Sequence, residues 1–71
     1  MKSPVEKMYK VIEEARRESG YTKEQLSLAL GYSSDWYENA LREKKELDLL
    51  EFLNICLEFQ IPVPEMMDKV L

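Results

Sequence analysis

Apolar residues recur at helical spacing along almost the whole chain, with short polar segments between them. In the first segment, from about Pro4 to Ser19, they are spaced three and four residues apart, at Val5, Met8, Ile12 and Ala15. This spacing places them on one face of an α-helix. Ser3 is suited to the N-cap and Pro4 to the first helical position, and Gly20 is suited to end the helix. The pattern therefore predicts an amphipathic first helix.

Two shorter helices follow, with a glycine between them. The second begins at Thr22, an N-cap whose capping-box partner is Gln25, and it ends near Gly31. Its predicted apolar side consists of Leu26, Ala29 and Leu30. The third helix is predicted over residues 33 to about 42, with Ser33 as its N-cap. Its predicted inward residues are Tyr37, Ala40 and Leu41.

The rest of the chain predicts a fourth helix, from the N-cap Asp48 to about Phe59, with two apolar stripes. The inner stripe consists of Leu49, Phe52, Cys56 and Phe59. The outer stripe consists of Leu50, Leu53 and Leu57. A surface helix needs only one apolar face, so the outer stripe is expected to be covered by the C-terminal segment or by another subunit.

Ile61 and Pro62 open a last short helix, the fifth. Its apolar residues are Val63, Met66, Met67, Val70 and Leu71. The pattern as a whole predicts an all-α fold, and residues 1–71 form a single domain because no repeat or linker divides them. Its core is expected to include Leu26, Leu30, Tyr37, Ala40, Phe52 and Phe59.

The composition excludes several classes of function. The 71 residues include one Cys and no His. The chain therefore cannot form an internal disulfide, has poor zinc ligands and lacks the usual general base of nucleophilic catalysis. No apolar run approaches the roughly 20 residues that span a bilayer, and the charged beginning is unlike a signal peptide. We expect a cytoplasmic protein that is not an enzyme and has no cofactor, metal or membrane span.

The charge is unevenly distributed. The formal net charge is −4. Residues 1–32 carry six basic and five acidic side chains, whereas residues 33–71 carry four basic and nine acidic ones. An acidic surface does not attract nucleic acid at long range. A local basic edge remains at Arg42, Lys44 and Lys45.

Residues 22 to about 42 form a candidate helix-turn-helix unit. A short helix, the breaker Gly31 and a second short helix are the signature of this motif, and Tyr32 is expected to fill the space between the helices. The chain here resembles the Cro/repressor-like (XRE-type) regulators of bacteria and phages. The residues that carry the resemblance are Gly20 to Leu26, Gly31 to Ser33, Leu49, Phe52, Leu53, Ile55, Phe59, Ile61, Val63, Met66 and Met67.

The resemblance implies a five-helix compact domain of the lambda-repressor-like helix-turn-helix type. It also implies a sequence-specific transcriptional regulator, repressor-like, that binds double-stranded operator DNA as a homodimer. The third helix would enter the major groove. The residues placed at base edges are Ser34, Asp35, Glu38 and Asn39. Those placed near phosphates are Lys23, Arg42, Lys44 and Lys45. The expected dimer or partner surface is Leu50, Leu53, Leu57, Val63, Met67, Val70 and Leu71.

The sequence departs from the family pattern in two respects. Asp35 and Glu38 repel phosphates, although a carboxylate can also accept a hydrogen bond from cytosine. Leu41 stands where the family commonly has a Glu that pairs with an arginine of the first helix, so Arg16 is expected to lack that partner.

Several of these residues have an alternative explanation. Asp35 in the first turn of a helix stabilises the helix dipole without any base contact. Lys44 and Lys45 lie in a charged segment that water alone can solvate. Trp36 is expected to be half-exposed, either as a cover for the core or as an anchor for DNA or a protein partner. The acidic third helix therefore leaves a second function open: a helix-turn-helix scaffold used for protein–protein contact, as in a phage-type antirepressor or inhibitor, without DNA binding.

Overall fold

The computed structural model describes residues 4–71, and the N-cap predicted at Ser3 lies outside this range. The described residues form five helices and no strand, which confirms the all-α prediction. The helices are α1 (Pro4–Ser19), α2 (Lys23–Ala29), α3 (Trp36–Glu43), α4 (Leu49–Glu58) and α5 (Val63–Val70). The described part of the chain measures 30 × 25 × 22 Å. None of its helices has both the length and the apolar character needed to cross a membrane.

All five helices contribute to the core, and the most extensive packing is that of α1 against α5, α2 against α3, and α4 against α5. The buried apolar residues are Met8, Tyr9, Ile12, Leu26, Tyr37, Ala40, Ile55, Cys56, Met66 and Val70. This confirms the predicted burial of Leu26, Tyr37 and Ala40. The other three predicted core residues, Leu30, Phe52 and Phe59, are half-buried and pack against the edge of this core.

Local capping signals determine where α2 and α4 begin. The Thr22 hydroxyl accepts from the Gln25 backbone N–H at 3.0 Å, and the Gln25 side chain accepts from the Thr22 N–H at 2.9 Å. Asp48 and Glu51 make the same reciprocal pair at the start of α4, at 2.8 and 2.9 Å. Both predicted N-caps are confirmed. Side chains here satisfy backbone donors that have no partner within the helix.

Two predictions about helix faces are wrong. Leu49, assigned to the inner stripe of α4, is 71% exposed, whereas Ile55 is fully buried. Ala29, assigned to the apolar side of α2, is exposed, and Ser27 is buried instead. In both helices, the face that packs against the core is therefore offset around the helix axis from the predicted face. Each helix has apolar residues on more than one face, so apolar spacing alone does not determine which face is buried.

Arg16 has partners of its own despite Leu41. Its Nε lies 2.6 Å from a carboxylate oxygen of Glu13, and its Nη1 donates to the Tyr21 carbonyl oxygen at 2.7 Å. Glu13 and Arg16 are three residues apart on α1, so their side chains meet on one face of the helix. The arginine links the end of α1 to the segment that leads into α2.

Candidate nucleic-acid interface

A buried serine joins α2 to α3. The backbone N–H of Tyr37 donates to Ser27 Oγ at 2.9 Å, and the same hydroxyl donates to the Lys23 carbonyl oxygen at 2.9 Å. One of the free N–H groups at the start of α3 is thereby satisfied by a side chain of α2. The hydroxyl fixes the start of α3 against α2. The sequence analysis does not predict this role of Ser27. The signal for it in the sequence is the position of a serine between two apolar residues on a short helix.

The third helix begins later than predicted, at Trp36 rather than near Ser33. The Ser33 carbonyl oxygen accepts from the Trp36 N–H at 3.0 Å, which closes a tight turn over residues 33–36. The Ser33 hydroxyl donates to the Asp35 carboxylate at 2.9 Å instead of capping a backbone N–H. Asp35 occupies the N-cap position but makes no side-chain capping bond. The predicted base-contact residues therefore lie partly on this turn and partly on the helix.

All four predicted base-contact residues lie on the outer side of this turn and helix. Ser34, Asp35 and Glu38 are exposed and Asn39 is half-exposed. The opposite side of α3 is buried in the core, through Tyr37 and Ala40. We refer to Ser34, Asp35, Glu38 and Asn39 as the polar side of α3. It presents hydroxyl, carboxylate and amide groups to solvent.

Arg42 orients one of these groups. Its Nη2 donates to Asn39 Oδ1 at 2.7 Å, one helical turn away. The Asn39 amide keeps both N–H donors and one oxygen lone pair for a ligand. A contact to both the N6 and N7 of adenine needs one donor and one acceptor of this amide. The Arg42 bond therefore holds the amide without using all of its capacity.

The predicted phosphate-contact residues divide into two groups. Arg42 and Lys44 are exposed, and Lys23 is half-buried at the start of α2. Lys44 ends α3 in the left-handed conformation, with φ 54°. An anion can bind these three residues without breaking an ion pair between described residues. An anion that binds Lys45 has to break one.

Lys45 is held by a buried carboxylate. Its Nζ lies 2.8 and 2.9 Å from the two carboxylate oxygens of Glu51, a side chain that is 8% exposed. The hydrogen bond to Glu51 raises the pKa of Lys45. A phosphate would have to compete with this partner, so the structure does not favour Lys45 as a phosphate contact. The structure gives Lys45 a role in fixing the segment after α3.

Tyr9 anchors the same segment from α1. Its hydroxyl donates to the Lys45 carbonyl oxygen at 2.5 Å. Burial, with a smaller effect of the Glu51 charge, raises the pKa of Tyr9 to about 12. Helices α1 and α4 therefore both hold the backbone that follows α3, and the position of exposed Lys44 depends on them.

Trp36 is half-exposed, as predicted, and belongs to an aromatic pair. Its ring stacks on Tyr32, with centroids 4.3 Å apart and planes 16° from parallel. Lys45 Nζ lies 5.8 Å from the centroid of the Trp36 ring. Tyr32, predicted to fill the space between α2 and α3, is half-buried and covers Trp36. The aromatic pair lies beside the polar side of α3.

The predicted dimer surface is exposed only in part. Leu50, Leu57 and Leu71 are each more than 70% exposed and Met67 is 38% exposed. Leu53 and Val63 are half-buried. Val70 is buried against the core, so its assignment to a contact surface is wrong. It faces inward because α5 packs on α1 through this side.

The described residues offer little chemistry for a metal or a covalent step. Within residues 4–71, no three Asp, Glu or Cys side chains are grouped so that they could hold a metal ion. Cys56 is buried, and burial raises the pKa of its thiol, which disfavours the reactive thiolate.

No protein-family model, curated protein or solved structure matches this chain.

Proposed function

We propose that this chain is a sequence-specific DNA-binding regulator of the Cro/repressor-like helix-turn-helix type, which places the polar side of α3 in the major groove of an operator. One observation carries the proposal: α3 is fixed to α2 by the Ser27 hydroxyl, while Ser34 and Asp35 on the preceding turn, and Glu38 and Asn39 on the helix, lie on the side away from the core. A helix held in this way, with an amide on its outer side and a hydroxyl on the turn before it, is suited to contact base edges.

Asn39 and Ser34 supply the sequence preference in this proposal. The Asn39 amide, oriented by Arg42, pairs with adenine, and the Ser34 hydroxyl can donate to or accept from either strand. Asp35 and Glu38 accept from the amino group of cytosine. Each carboxylate also repels the phosphates on either side of the groove, which weakens binding to sequences that offer it no cytosine amino group.

Lys23, Arg42 and Lys44 supply affinity that does not depend on sequence. They lie at the two ends of the α2–α3 unit, where the DNA backbone passes on either side of the groove. Each phosphate contact steepens the dependence of log affinity on log salt by about 0.9. With three contacts per subunit and a net charge of −4, we expect weak binding to random DNA.

The proposed dimer forms through the outer stripe of α4, Leu50, Leu53 and Leu57. Two of these leucines are more than 70% exposed, and exposed apolar side chains one and two helical turns apart form a contact stripe. A two-fold dimer would present two copies of α3 to two half-sites of one operator. Changing Leu50 and Leu57 to Glu is expected to give folded monomer in sedimentation equilibrium. A wild-type protein that is monomeric at high micromolar concentration would contradict this dimer.

Selection from a random duplex pool tests the DNA proposal. Asn39→Ala is expected to lose roughly 1–3 kcal/mol on the selected duplex and little on random duplex. Lys44→Ala is the matched control, and it is expected to weaken both and to lower the salt slope. The doubly neutralised variant Asp35→Asn, Glu38→Gln is expected to bind random duplex more tightly. If this variant shows no duplex binding at low salt, the proposal fails.

The second candidate function is a helix-turn-helix scaffold for protein–protein contact, in the manner of a phage-type antirepressor or inhibitor. The observation in its favour is the pair of exposed carboxylates, Asp35 and Glu38, beside the half-exposed stack of Tyr32 and Trp36. Aromatic residues with a polar rim are typical of protein contact sites. A protein partner whose binding depends on Trp36, combined with no duplex affinity, would favour this function.

A further inference from the structure

An apolar groove lies on a part of the surface that contains no residue of α3. It has a volume of about 380 Å³ and is bounded by the start of α1, the segment before α4 and the end of α5. Its apolar lining includes Val5, Leu47, Leu49, Phe52, Met67 and Leu71. The three leucines of the outer stripe of α4 do not line it. The groove is therefore separate from the polar side of α3 and from the outer stripe of α4, although it includes Met67 and Leu71, which the sequence assigned to the dimer or partner surface.

The walls of the groove are unusually exposed for apolar residues. Leu49 is 71% exposed and Leu71 is 79% exposed, and both stand at its edge. Exposed apolar side chains grouped around a groove are suited to contact a partner. An apolar cavity of roughly 150 Å³ accepts a benzene molecule. The groove therefore has room for about two apolar side chains, which is what one face of a short helix inserts.

Among residues 4–71, the charged side chains that line the groove are all of one sign. The charged residues among those that line it are Glu46 and Asp48. Glu46 is exposed and makes no ion pair with another described residue. Asp48 is exposed and caps α4. An apolar floor with an acidic edge is complementary to an apolar stripe flanked by lysine or arginine.

We propose that this groove binds an amphipathic, basic helix of a partner protein, with two apolar side chains one turn apart in the groove and basic side chains beside Glu46 and Asp48. The inference is independent of the proposed DNA binding.

A second copy of the chain is a poorer occupant. A second copy offers the same groove, whose described lining carries Glu46 and Asp48 and no basic side chain. Like charges that face each other across an interface oppose association. The half of the chain that contains these residues, 33–71, also carries nine acids and four bases. A basic partner has no such penalty.

Two synthetic helices of about 14 residues serve as probes, since that is near the shortest length for a helix in water. Both carry Leu at i, i+3, i+4 and i+7, and the other positions are mainly Lys in one peptide and mainly Glu in the second. A scrambled Lys peptide of equal composition removes the apolar stripe. Fluorescence anisotropy of the labelled peptides measures binding to the full chain at low salt.

We expect the Lys peptide to bind at least about tenfold more tightly than either the Glu peptide or the scrambled peptide. Leu49→Gln with Leu71→Gln is expected to weaken binding by about tenfold or more, because two apolar contacts are lost. Leu28→Gln is the matched control: Leu28 is 56% exposed but lies on α2, away from the groove. It is expected to change the affinity less than about twofold.

Glu46→Lys provides a second test that does not alter the apolar walls. It is expected to reduce the preference for the Lys peptide over the Glu peptide severalfold. All these positions are exposed, so the variants should fold, and circular dichroism verifies this.

Three results would overturn the proposal. One is equal binding of the Lys, Glu and scrambled peptides, or no binding of any of them. Another is binding of the Lys peptide that Leu49→Gln with Leu71→Gln leaves unchanged. The third is self-association in sedimentation equilibrium that this double variant abolishes while Leu50→Glu with Leu57→Glu does not, because a second copy would then occupy the groove.

Discussion

Removing the hydroxyl group from each of two buried tyrosines is expected to have opposite effects on stability. Tyr9 and Tyr37 lie in the same core, with ring centroids 6.5 Å apart. The Tyr9 hydroxyl donates to the Lys45 carbonyl oxygen. The Tyr37 hydroxyl is buried and has no hydrogen-bond partner among the described residues. Replacing each tyrosine with Phe therefore makes the same chemical change in two different environments.

The magnitudes follow from these environments. A buried polar group without a partner costs about 1–3 kcal/mol relative to its hydrated state in the unfolded chain. Tyr37→Phe removes this cost, and we expect a gain of about 1 kcal/mol. Tyr9→Phe loses a hydrogen bond and leaves the Lys45 carbonyl without this donor, which we expect to cost about 1–2 kcal/mol.

Urea unfolding followed by far-ultraviolet circular dichroism measures both changes. For a small chain the dependence of the free energy on urea is near 1 kcal/mol per molar, so each kcal/mol shifts the midpoint by about 1 M. The double variant is expected to lie between the two single variants. If Tyr37→Phe destabilises the protein as much as Tyr9→Phe does, the Tyr37 hydroxyl has a partner in solution and the reasoning is refuted.

Three further predictions concern stability. Phe52→Ala is expected to lower the stability measured in a thermal melt by about 2 kcal/mol. This is less than the roughly 3–5 kcal/mol of a fully buried Phe, because the Phe52 ring is only half-buried at the edge of the groove. A loss above about 4 kcal/mol would place Phe52 in the core. Asp48→Ala removes the capping box of α4 and is expected to lower the free energy of unfolding by about 1–2 kcal/mol. Asp48→Asn can still cap the helix and should retain most of the stability. Equal losses of stability in the two variants would show that the cap is not the cause. The pKa of Tyr9 is raised to about 12, so the folded state keeps this proton to a higher pH than the unfolded chain does. Ionisation of Tyr9 should therefore leave the stability unchanged below about pH 10 and lower it as the pH rises toward 12. In urea unfolding at several alkaline pH values, Tyr9→Phe should lessen this fall by at most about 3 kcal/mol, and an unchanged slope would contradict the assignment.

The sequence predicts best the features that depend on neighbours along the chain. The N-caps Thr22 and Asp48 are correct because each bonds with a residue only three positions away. Gly20 and Gly31 follow α1 and α2 as expected, and both have positive φ, 77° and 86°, where a side chain would be strained. The number and order of helices follow from these signals and from apolar spacing.

Features that depend on tertiary contacts are not predicted. Glu51 is buried because Lys45 supplies its counter-charge, and apolar spacing contains no information about that pair. Leu49 is exposed because α4 packs through Ile55 and Cys56. At the candidate site, the exposure of the polar side of α3 agrees with the prediction. The ion pair between Lys45 and Glu51, which competes with a phosphate contact, depends on tertiary structure and leaves no signal in the sequence.

The central claim, that the polar side of α3 contacts DNA bases, is tested most directly by mapping backbone amide chemical shifts during titration with a selected duplex. We predict that the largest changes lie at residues 34–39, with smaller ones near Lys23 and Lys44, while the groove residues Leu49 and Leu71 are unaffected. Added salt should reverse the changes. A spectrum that does not change at low salt, or changes that are largest outside residues 34–39, would contradict the claim.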